Sequence, residues 1–255
     1  MAIVVDGFSI RSSDRCVIFT GLFKQLLKGV IIINTIAENI SEIFPVLMQG
    51  VGITIQVLIG SIILGYLMAF IAGFCRLSKN PIIKYLTTFY VEIFRGTSLI
   101  VQLFWLFYAL PILFGIDLGS DYLAGVLAIA LNYGAYMSEI VRGSILAVAK
   151  GQTEAATALN MSRFQRMRLV IFPQAVRMML PEFGNYLIQM LKATSLVSLI
   201  GMTDILYYGD ILRSSNLSQA PTVYFLVLVF YFIMALPLIW LTRKMEDASK
   251  KGVAS

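Results

Sequence analysis

The stretch EAATALNMSRFQRMRLVIFP, which runs from Glu154 to Pro173, lies between two apolar runs that are each long enough to cross a membrane. It is too charged to be a span itself. Its charged residues are Glu154, Arg163, Arg166 and Arg168. We name residues 150–173 the EAA loop, after its Glu-Ala-Ala sequence. A charged loop of this length between two spans indicates a surface that another protein binds.

The local pattern of the EAA loop predicts a helix, a sharp turn and a second helix. Gly151 or its neighbour begins the first helix and places Glu154 in the first turn, where a carboxylate suits the helix dipole. Asn160 comes where the chain turns, and Asn tolerates the left-handed conformation that ends many helices. Ser162 followed by Gln165 is a capping box for the second helix. The proline at the end of the loop is expected to break or kink that helix.

The whole chain has the composition of a helical membrane protein. Of its 255 residues, 58% are hydrophobic and 13% are charged, against ~25% charged in a typical soluble domain. The formal net charge of +6 marks cytoplasmic loops near anionic lipid, not a nucleic-acid site. The predicted class is an all-α polytopic membrane protein. We divide it into an N-terminal segment (1–45), a membrane domain (46–246) and a tail (247–255).

The residue types exclude several kinds of chemistry. The chain has no histidine, and Cys16 and Cys75 are far apart, so we predict no disulfide, no metal site and no cofactor. It has no GxxxxGK(S/T) phosphate loop, so any ATP must bind to another chain. We predict no catalytic residue and expect that the chain is not an enzyme.

Five apolar segments are predicted to cross the membrane, because each approaches the ~20 residues that span ~30 Å of hydrocarbon. The segments are residues 51–74, 99–113, 122–141, 183–206 and 223–241. The second reaches the required length if it begins at Ile93. Gly60 and Gly65 in the first segment predict close packing of helices.

The N-terminal segment contains an amphipathic pattern over residues 19–30, with Lys24 and Lys28 opposite the apolar face. This pattern predicts an interfacial helix that lies in the membrane plane. An additional span through Ile33 is the alternative, although two lysines in its middle would be costly.

The basic residues predict the orientation of the chain. The loops after the first and third segments and the C-terminal tail are rich in Lys and Arg, whereas the other loops carry Asp117, Asp121 and Asp210. By the positive-inside rule, the EAA loop and the C-terminus lie in the cytoplasm and the N-terminus lies outside.

Two of the predicted spans carry polar residues, with i, i+4, i+7 spacing in each. The spaced sets are Asn132, Tyr136 and Glu139 in the third span and Asn185, Gln189 and Lys192 in the fourth, and Thr194 and Ser195 follow the second set. Polar groups in hydrocarbon are costly and face the bundle interior, a partner or water. They either line a translocation pathway or hold helices together. Both interpretations are open for the two amides of the fourth span, whereas a lysine followed by hydroxyls favours the pathway.

A second polar cluster, Glu92, Arg95 and Thr97, precedes the second span. Glu92 and Arg95 are i, i+3 on a helix and are predicted to pair. An ordinary ion pair at the cytoplasmic face is favoured over a functional site.

Several stretches, in order along the chain, resemble the permease subunits of ATP-binding-cassette (ABC) importers for polar amino acids. Besides the EAA loop and the last span, they are EIFRGTSLIVQLFWLFYALP (92–111), AYMSEIVRGSI (135–145) and PQAVRMMLPEFGNYLIQMLKATSLVSLIG (173–201). The resemblance covers about residues 49–246. It implies the type I importer permease fold, as a multi-pass protein of the bacterial inner membrane.

The resemblance also implies a set of partners. An extracytoplasmic binding protein delivers the substrate, a second permease subunit completes the channel, and two cytoplasmic ATPase subunits drive transport. The EAA loop would be the coupling helix that docks in a groove of the ATPase. The residues expected to transmit the movement are Glu154, Ala155, Ala156, Asn160 and Pro173.

Two positions depart from the family pattern. The family usually has Gly where this chain has Asn160, so a left-handed Asn is expected there. The family often has Pro after Arg-Gly-Thr, where this chain has Ser98, so the start of the second span is expected to be less rigid.

A secondary transporter or channel that acts alone is the main alternative. Such a protein is expected to show inverted repeats with broken helices, and no clear repeat is visible here. A membrane-embedded enzyme is a third class, for which the sequence contains no nucleophile motif. Within the importer family, the sequence leaves open whether the substrate is a polar amino acid or an ectoine-type solute. It also leaves open whether the permease pairs with itself or with a relative.

Overall fold

The computed structural model describes residues 12–116 and 118–250, with side chains from Ile40 onward. Every regular element in this part of the chain is a helix, which confirms the all-α class. The helices are α1 (Ser12–Cys75), α2 (Pro81–Gly96), α3 (Leu99–Phe114), α4 (Asp121–Ala147), α5 (Lys150–Ala158), α6 (Arg163–Ile200), α7 (Ile205–Ser215) and α8 (Leu217–Lys250).

Three helices of the described part are long and apolar enough to cross a membrane unbroken. They are the Ile40–Cys75 part of α1, together with α4 and α8. The bent pairs α2–α3 and α6–α7 pass the same test if each is counted as one span, which gives up to five spans. The five predicted segments fall within these five units.

The structure contains two bends that the sequence did not predict, one before the second predicted span and one within the fourth. The extension of the second span back to Ile93 is wrong, because the chain bends by 111° between α2 and α3. Thr97 and Ser98 have extended backbones and separate the two helices. The fourth predicted span bends by 51° after α6. Gly201 at this bend has φ +89°, a conformation that glycine adopts at little cost.

The N-terminal pattern at residues 19–30 belongs to the continuous helix α1. The side chains of those residues lie outside the described part, so an interfacial location stays a prediction. The predicted division after residue 45 falls inside α1, which continues through Pro45. The predicted tail begins in the last turns of α8, and residues 251–255 lie outside the described part.

The core forms where α1, α4, α6 and α8 pack together, and small residues allow the close approach. A Cβ added at Gly65 would lie 3.2 Å from Cε of Met190. One added at Gly60 would lie 2.7 Å from the hydroxyl of Tyr122. Close packing at both glycines is therefore confirmed.

The bend between α6 and α7 is held in place by Asp204, a buried residue that no sequence pattern singled out. Its carboxylate caps α7 by accepting the N–H of Tyr207 at 2.9 Å, and it also accepts the hydroxyl of Tyr231 in α8 at 3.1 Å. From α1, the hydroxyl oxygen of Thr54 accepts the N–H of Ile205 at 3.4 Å. These bonds satisfy polar groups that would be costly if they were buried alone.

Gly50 in α1 lies very close to this bend, since a Cβ there would overlap the backbone of Asp204. We expect Gly50→Ala to lower the midpoint of thermal unfolding in detergent and to cost about 1–3 kcal/mol, because backbone atoms cannot rotate aside. Gly52→Ala is the matched control, since nothing lies within 4 Å of its added Cβ. The helix propensity of alanine should make this control neutral or stabilising. Equal midpoints for the two variants would contradict the prediction.

Candidate functional site

The EAA loop begins with α5, a helix of nine residues that starts at Lys150. Because of this start, Glu154 lies just beyond the first turn, and the prediction that it lies within that turn is wrong. Ala149 precedes the helix and provides no side-chain cap. The first turn of α5 therefore carries no acidic side chain.

The turn after α5 has the predicted left-handed residue. Asn160 has φ 56° and is the one non-glycine residue with positive φ in the described part of the chain. Two hydrogen bonds close the turn, from Met161 N–H to the carbonyl of Ala156 (3.1 Å) and from Asn160 N–H to the carbonyl of Thr157 (2.9 Å). This pair of bonds is the Schellman motif, which normally has glycine at the left-handed position. The prediction for Asn160 is confirmed.

We expect Asn160→Gly to preserve this turn, because glycine adopts the left-handed conformation without strain. Asn160→Val should cost about 1–2 kcal/mol locally, because the two methyl groups on its branched Cβ crowd the left-handed backbone, which Asn tolerates. Limited proteolysis of the EAA loop in native membranes measures the difference. Cleavage at the wild-type rate in the valine variant would argue against a strained turn.

The second helix of the loop, α6, begins with the predicted capping box. The hydroxyl oxygen of Ser162 accepts the N–H of Gln165 at 3.3 Å, and Oε1 of Gln165 accepts the N–H of Ser162 at 2.9 Å. Pro173 does not break this helix, which continues to Ile200. A π-helical turn at Met167–Ile171 lies directly before the proline instead.

Of the three residues Glu154, Ala155 and Ala156 that give the EAA loop its name, one packs inward and two are exposed. Ala156 is 3% exposed, whereas Glu154 and Ala155 are exposed. Leu159 and Phe164 are 72% and 71% exposed, and the sequence analysis missed both. The signal for them was present, since they are large apolar residues on either side of the predicted turn at Asn160. Exposed apolar side chains of this kind mark interaction surfaces.

Glu139 of α4 is the centre of an ion cluster that joins several helices. Its carboxylate pairs with Arg76 after α1, with Arg95 of α2 at 3.0 Å and with Arg142 at 3.0 Å. We name these four residues the Glu139 cluster. The predicted pair between Glu92 and Arg95 is wrong, since Glu92 is exposed and forms no ion pair within the described residues. Three guanidinium groups around one carboxylate leave an excess of positive charge.

The break between α2 and α3 is tied to α4 by amide hydrogen bonds. Nδ2 of Asn132 donates to the carbonyl of Phe94 and to Oε1 of Gln102, both at 3.0 Å. Nε2 of Gln102 donates to Oγ1 of Thr97 at 2.6 Å. Asn132 and Thr97 were predicted from the sequence, whereas Gln102, a single amide in an apolar run, was not.

A polar groove lies between the start of α3, the middle of α4 and α6. Its lining residues are Thr97, Ser98, Leu99, Asn132, Tyr133, Tyr136, Tyr186 and Gln189, and it continues along Lys192 and Leu196. The first part has a volume of about 380 Å³, within the ~300–1,000 Å³ of small-molecule sites. The rings of Tyr136 and Tyr186 stack at 6.3 Å, and the guanidinium carbon of Arg95 lies 5.5 Å from the Tyr136 ring.

Four of the predicted pathway residues line the polar groove, and the other four do not. Those in the groove are Asn132, Tyr136, Gln189 and Lys192. Glu139 belongs to its own cluster, and Asn185 is exposed outside the lining. The hydroxyls of Thr194 and Ser195 donate to carbonyls of their own helix at 2.7 and 2.8 Å.

The sequence analysis missed two tyrosines of the groove. Tyr133 and Tyr186 each lie next to a polar residue that it selected, Asn132 and Asn185. The hydroxyl of Tyr133 donates to the carbonyl of Gln189 at 3.4 Å. Within the described residues, no group of three or more metal-ligating side chains occurs.

Residues 61–250 match the family model described as the binding-protein-dependent transport system inner membrane component. The chain belongs to this family. The match includes α4, the EAA loop, the polar groove from Thr97 to Leu196, and α8. The residues that match the family model therefore include both the EAA loop and the polar groove.

Curated relatives support the same family. A probable amino-acid ABC transporter permease protein, y4tF of Sinorhizobium fredii, is 49% identical over 204 residues, which cover 78% of this chain and 85% of that relative. The glutamine transport system permease protein GlnP of Escherichia coli K12 is 36% identical over 207 residues, 81% of this chain and 94% of that relative. The resemblance to ABC importer permeases is confirmed.

Solved structures support the fold. A structure described as an amino acid ABC transporter with histidines superposes with a TM-score of 0.75 at 35% identity, covering 82% of this chain and 96% of that one. An inward-facing structure of the MetNI methionine ABC transporter has a TM-score of 0.62 at 18% identity and shares the fold. The predicted importer permease fold is therefore confirmed.

Proposed function

We propose that this chain is the channel-forming permease subunit of an ATP-driven importer for polar amino acids, and that the EAA loop docks on a separate ATPase subunit. The observation that carries the proposal is α5, a short helix that is closed by a left-handed turn and followed by the exposed side chains of Leu159 and Phe164. The relatives named as amino-acid and glutamine permeases support the substrate class.

The proposed assembly contains two ATPase subunits, a second permease subunit and an extracytoplasmic binding protein, in a bacterial inner membrane. The EAA loop and the C-terminus lie in the cytoplasm and the N-terminus lies outside. The basic residues of the EAA loop and of the end of α8 support this orientation, because cytoplasmic loops are enriched in Lys and Arg.

The polar groove is the proposed translocation pathway for the substrate. Amides and tyrosine hydroxyls supply both donors and acceptors, which suits the ammonium and carboxylate groups of an amino acid. Lys192 lies along the continuation of the groove and offers a positive charge for a carboxylate. Four predicted pathway residues lie outside the groove. Glu139 belongs to the Glu139 cluster, and Asn185, Thr194 and Ser195 are proposed to act beyond this groove or in a different conformation of the transporter.

The proposed mechanism couples two conformations of the assembly. ATP binding closes the ATPase dimer, which carries the two EAA loops together and rotates the spans toward the outward-open state. ATP hydrolysis then resets the assembly. Such a cycle is a two-state equilibrium that is biased by ATP and by the loaded binding protein.

Reconstitution tests this proposal. The full chain is co-expressed with an ATP-binding-cassette ATPase subunit and an amino-acid-binding protein from the same organism, purified and inserted in proteoliposomes. We expect the ATPase to co-purify, and ATP hydrolysis to rise when the binding protein is loaded with glutamine or another polar amino acid. Stimulation by ectoine alone would reassign the substrate class. Uptake by the permease without any ATPase would support the alternative of a transporter that acts alone.

A further inference from the structure

The described part of the chain contains two π-helical turns, and each precedes a proline by the same distance. The turn Trp105–Ala109 in α3 is followed by Pro111, and the turn Met167–Ile171 in α6 is followed by Pro173. In both, the residue between the turn and the proline donates its N–H to the carbonyl of the first residue of the turn. The repeated spacing indicates a common physical cause.

That cause is the geometry of proline inside a helix. In an α-helix the proline ring collides with the carbonyl four residues earlier, and proline has no N–H to donate to it. For Pro173 this carbonyl belongs to Leu169, in the middle of the π-helical turn. The wider turn holds an additional residue and moves the carbonyl away from the ring. The π-helical turn thus allows α6 to continue through the proline.

The turn at Met167–Ile171 is also the surface against which α5 packs. A side-chain hydrogen bond connects the two helices, because Nε2 of Gln174 in α6 donates to Oε1 of Gln152 in α5 at 3.4 Å. The same Nε2 also donates, within α6, to the carbonyl of Val170 in the π-helical turn at 3.0 Å. Ile171 is buried in the core, whereas Leu169 is 62% exposed. The position of α5 therefore depends on how α6 winds at this turn.

We propose that Pro173 is a positioning residue: through the π-helical turn, it sets the rotational position of the EAA loop relative to the membrane-spanning part of α6. If the turn became α-helical, the loop would rotate by about 100° and shift by about 1.5 Å, the values for one residue of an α-helix. The consequence for ATPase docking rests on the proposed function. The rotational position of the EAA loop relative to α6 does not depend on the proposed function.

Cross-linking measures this geometry directly. Gln152 and Gln174 are replaced by cysteine in a full-length chain that also carries Cys16→Ser and Cys75→Ser, and a short bis-maleimide is applied in native membranes. Mass spectrometry reads the fraction of linked chains. With the wild-type π-helical turn, the two introduced cysteines should be cross-linked efficiently. Pro173→Ala restores the N–H and removes the ring, so the turn should become α-helical and the linked fraction should fall at least several-fold.

A compensating deletion provides the decisive second variant. Deleting the exposed Leu169 together with Pro173→Ala leaves a regular α-helix with one residue fewer, which returns the EAA loop to its original rotational position. We expect this double variant to link as the wild type does, even if Pro173→Ala alone does not accumulate. If the fold required Pro173 for stability alone, deleting Leu169 would not restore accumulation or cross-linking. Pro111→Ala is the control, because its π-helical turn lies in α3, and its linked fraction should not change.

Two results would overturn the inference: efficient linking in Pro173→Ala, or failure of the double variant to accumulate and link. Retention of the ATPase during purification is measured on the same variants. It should be lost with Pro173→Ala and regained with the double variant. If linking is lost and regained as expected while ATPase retention never changes, the geometry stands and the proposed docking function fails instead.

Discussion

Glu139→Gln is expected to destabilise the permease strongly and to abolish transport. The change leaves Arg76, Arg95 and Arg142 next to one another without their shared carboxylate. Breaking a buried ion pair costs ~3–5 kcal/mol, and the side chain of Glu139 is 22% exposed, so we expect a cost near the lower end of that range. The midpoint of thermal unfolding in detergent measures it.

Two further variants test the reason for this loss. Glu92→Gln is the matched control, because Glu92 is an exposed carboxylate outside the Glu139 cluster, and its midpoint should not change. Adding Arg142→Gln to Glu139→Gln should recover part of the loss, since one of the repelling charges is gone. A Glu139→Gln protein as stable as Glu92→Gln would show that the cluster is not needed for stability.

Ala156→Trp is expected to displace α5 and to release the ATPase. Ala156 is 3% exposed in the chain itself, so an indole cannot fit without moving the helix from the π-helical turn. Overpacking of this kind costs ~1–3 kcal/mol or more. We expect this cost to exceed the free energy by which the few contacts of the nine-residue α5 hold it in place. Faster proteolysis of the EAA loop and loss of the co-purifying ATPase are the measurements.

Ala155→Asp separates folding from docking. Ala155 is exposed in the chain, so its substitution should leave proteolysis of the EAA loop unchanged. If this face docks in the ATPase, a buried charge without a partner should still weaken retention of the ATPase at least tenfold, since such groups cost ~2–5 kcal/mol at interfaces. Normal retention with both alanine variants would remove the EAA loop from the coupling interface.

The composition and the long apolar runs of the sequence were sufficient to predict the class of the protein and the positions of its helices. All five predicted spans lie in helical units, because long apolar runs in a membrane have few alternatives to the helix. The bends at Thr97 and after Ile200 were missed. The mean hydropathy over ~20 residues does not change when two of them have an extended backbone. The apolar run also continues on either side of each bend.

The two parts of the candidate site differ in how far the sequence predicted them. Asn160 and the Ser162–Gln165 capping box depend on neighbouring residues, so local rules were enough. The partner of Arg95 was predicted wrongly. Glu92 is three residues away in sequence, whereas Glu139 becomes a neighbour when α2 packs on α4.

The sequence by itself determined the membrane class, the EAA loop and the left-handed turn at Asn160. These follow from composition and from the preferences of short segments. Only the tertiary structure decided which charges share Glu139, which tyrosines join Asn132 in the polar groove, and that α5 packs on a π-helical turn instead of on a helix broken by Pro173. The physical reason is that each of these depends on contacts between helices far apart in sequence, or on how a long helix accommodates a proline while both of its ends are held.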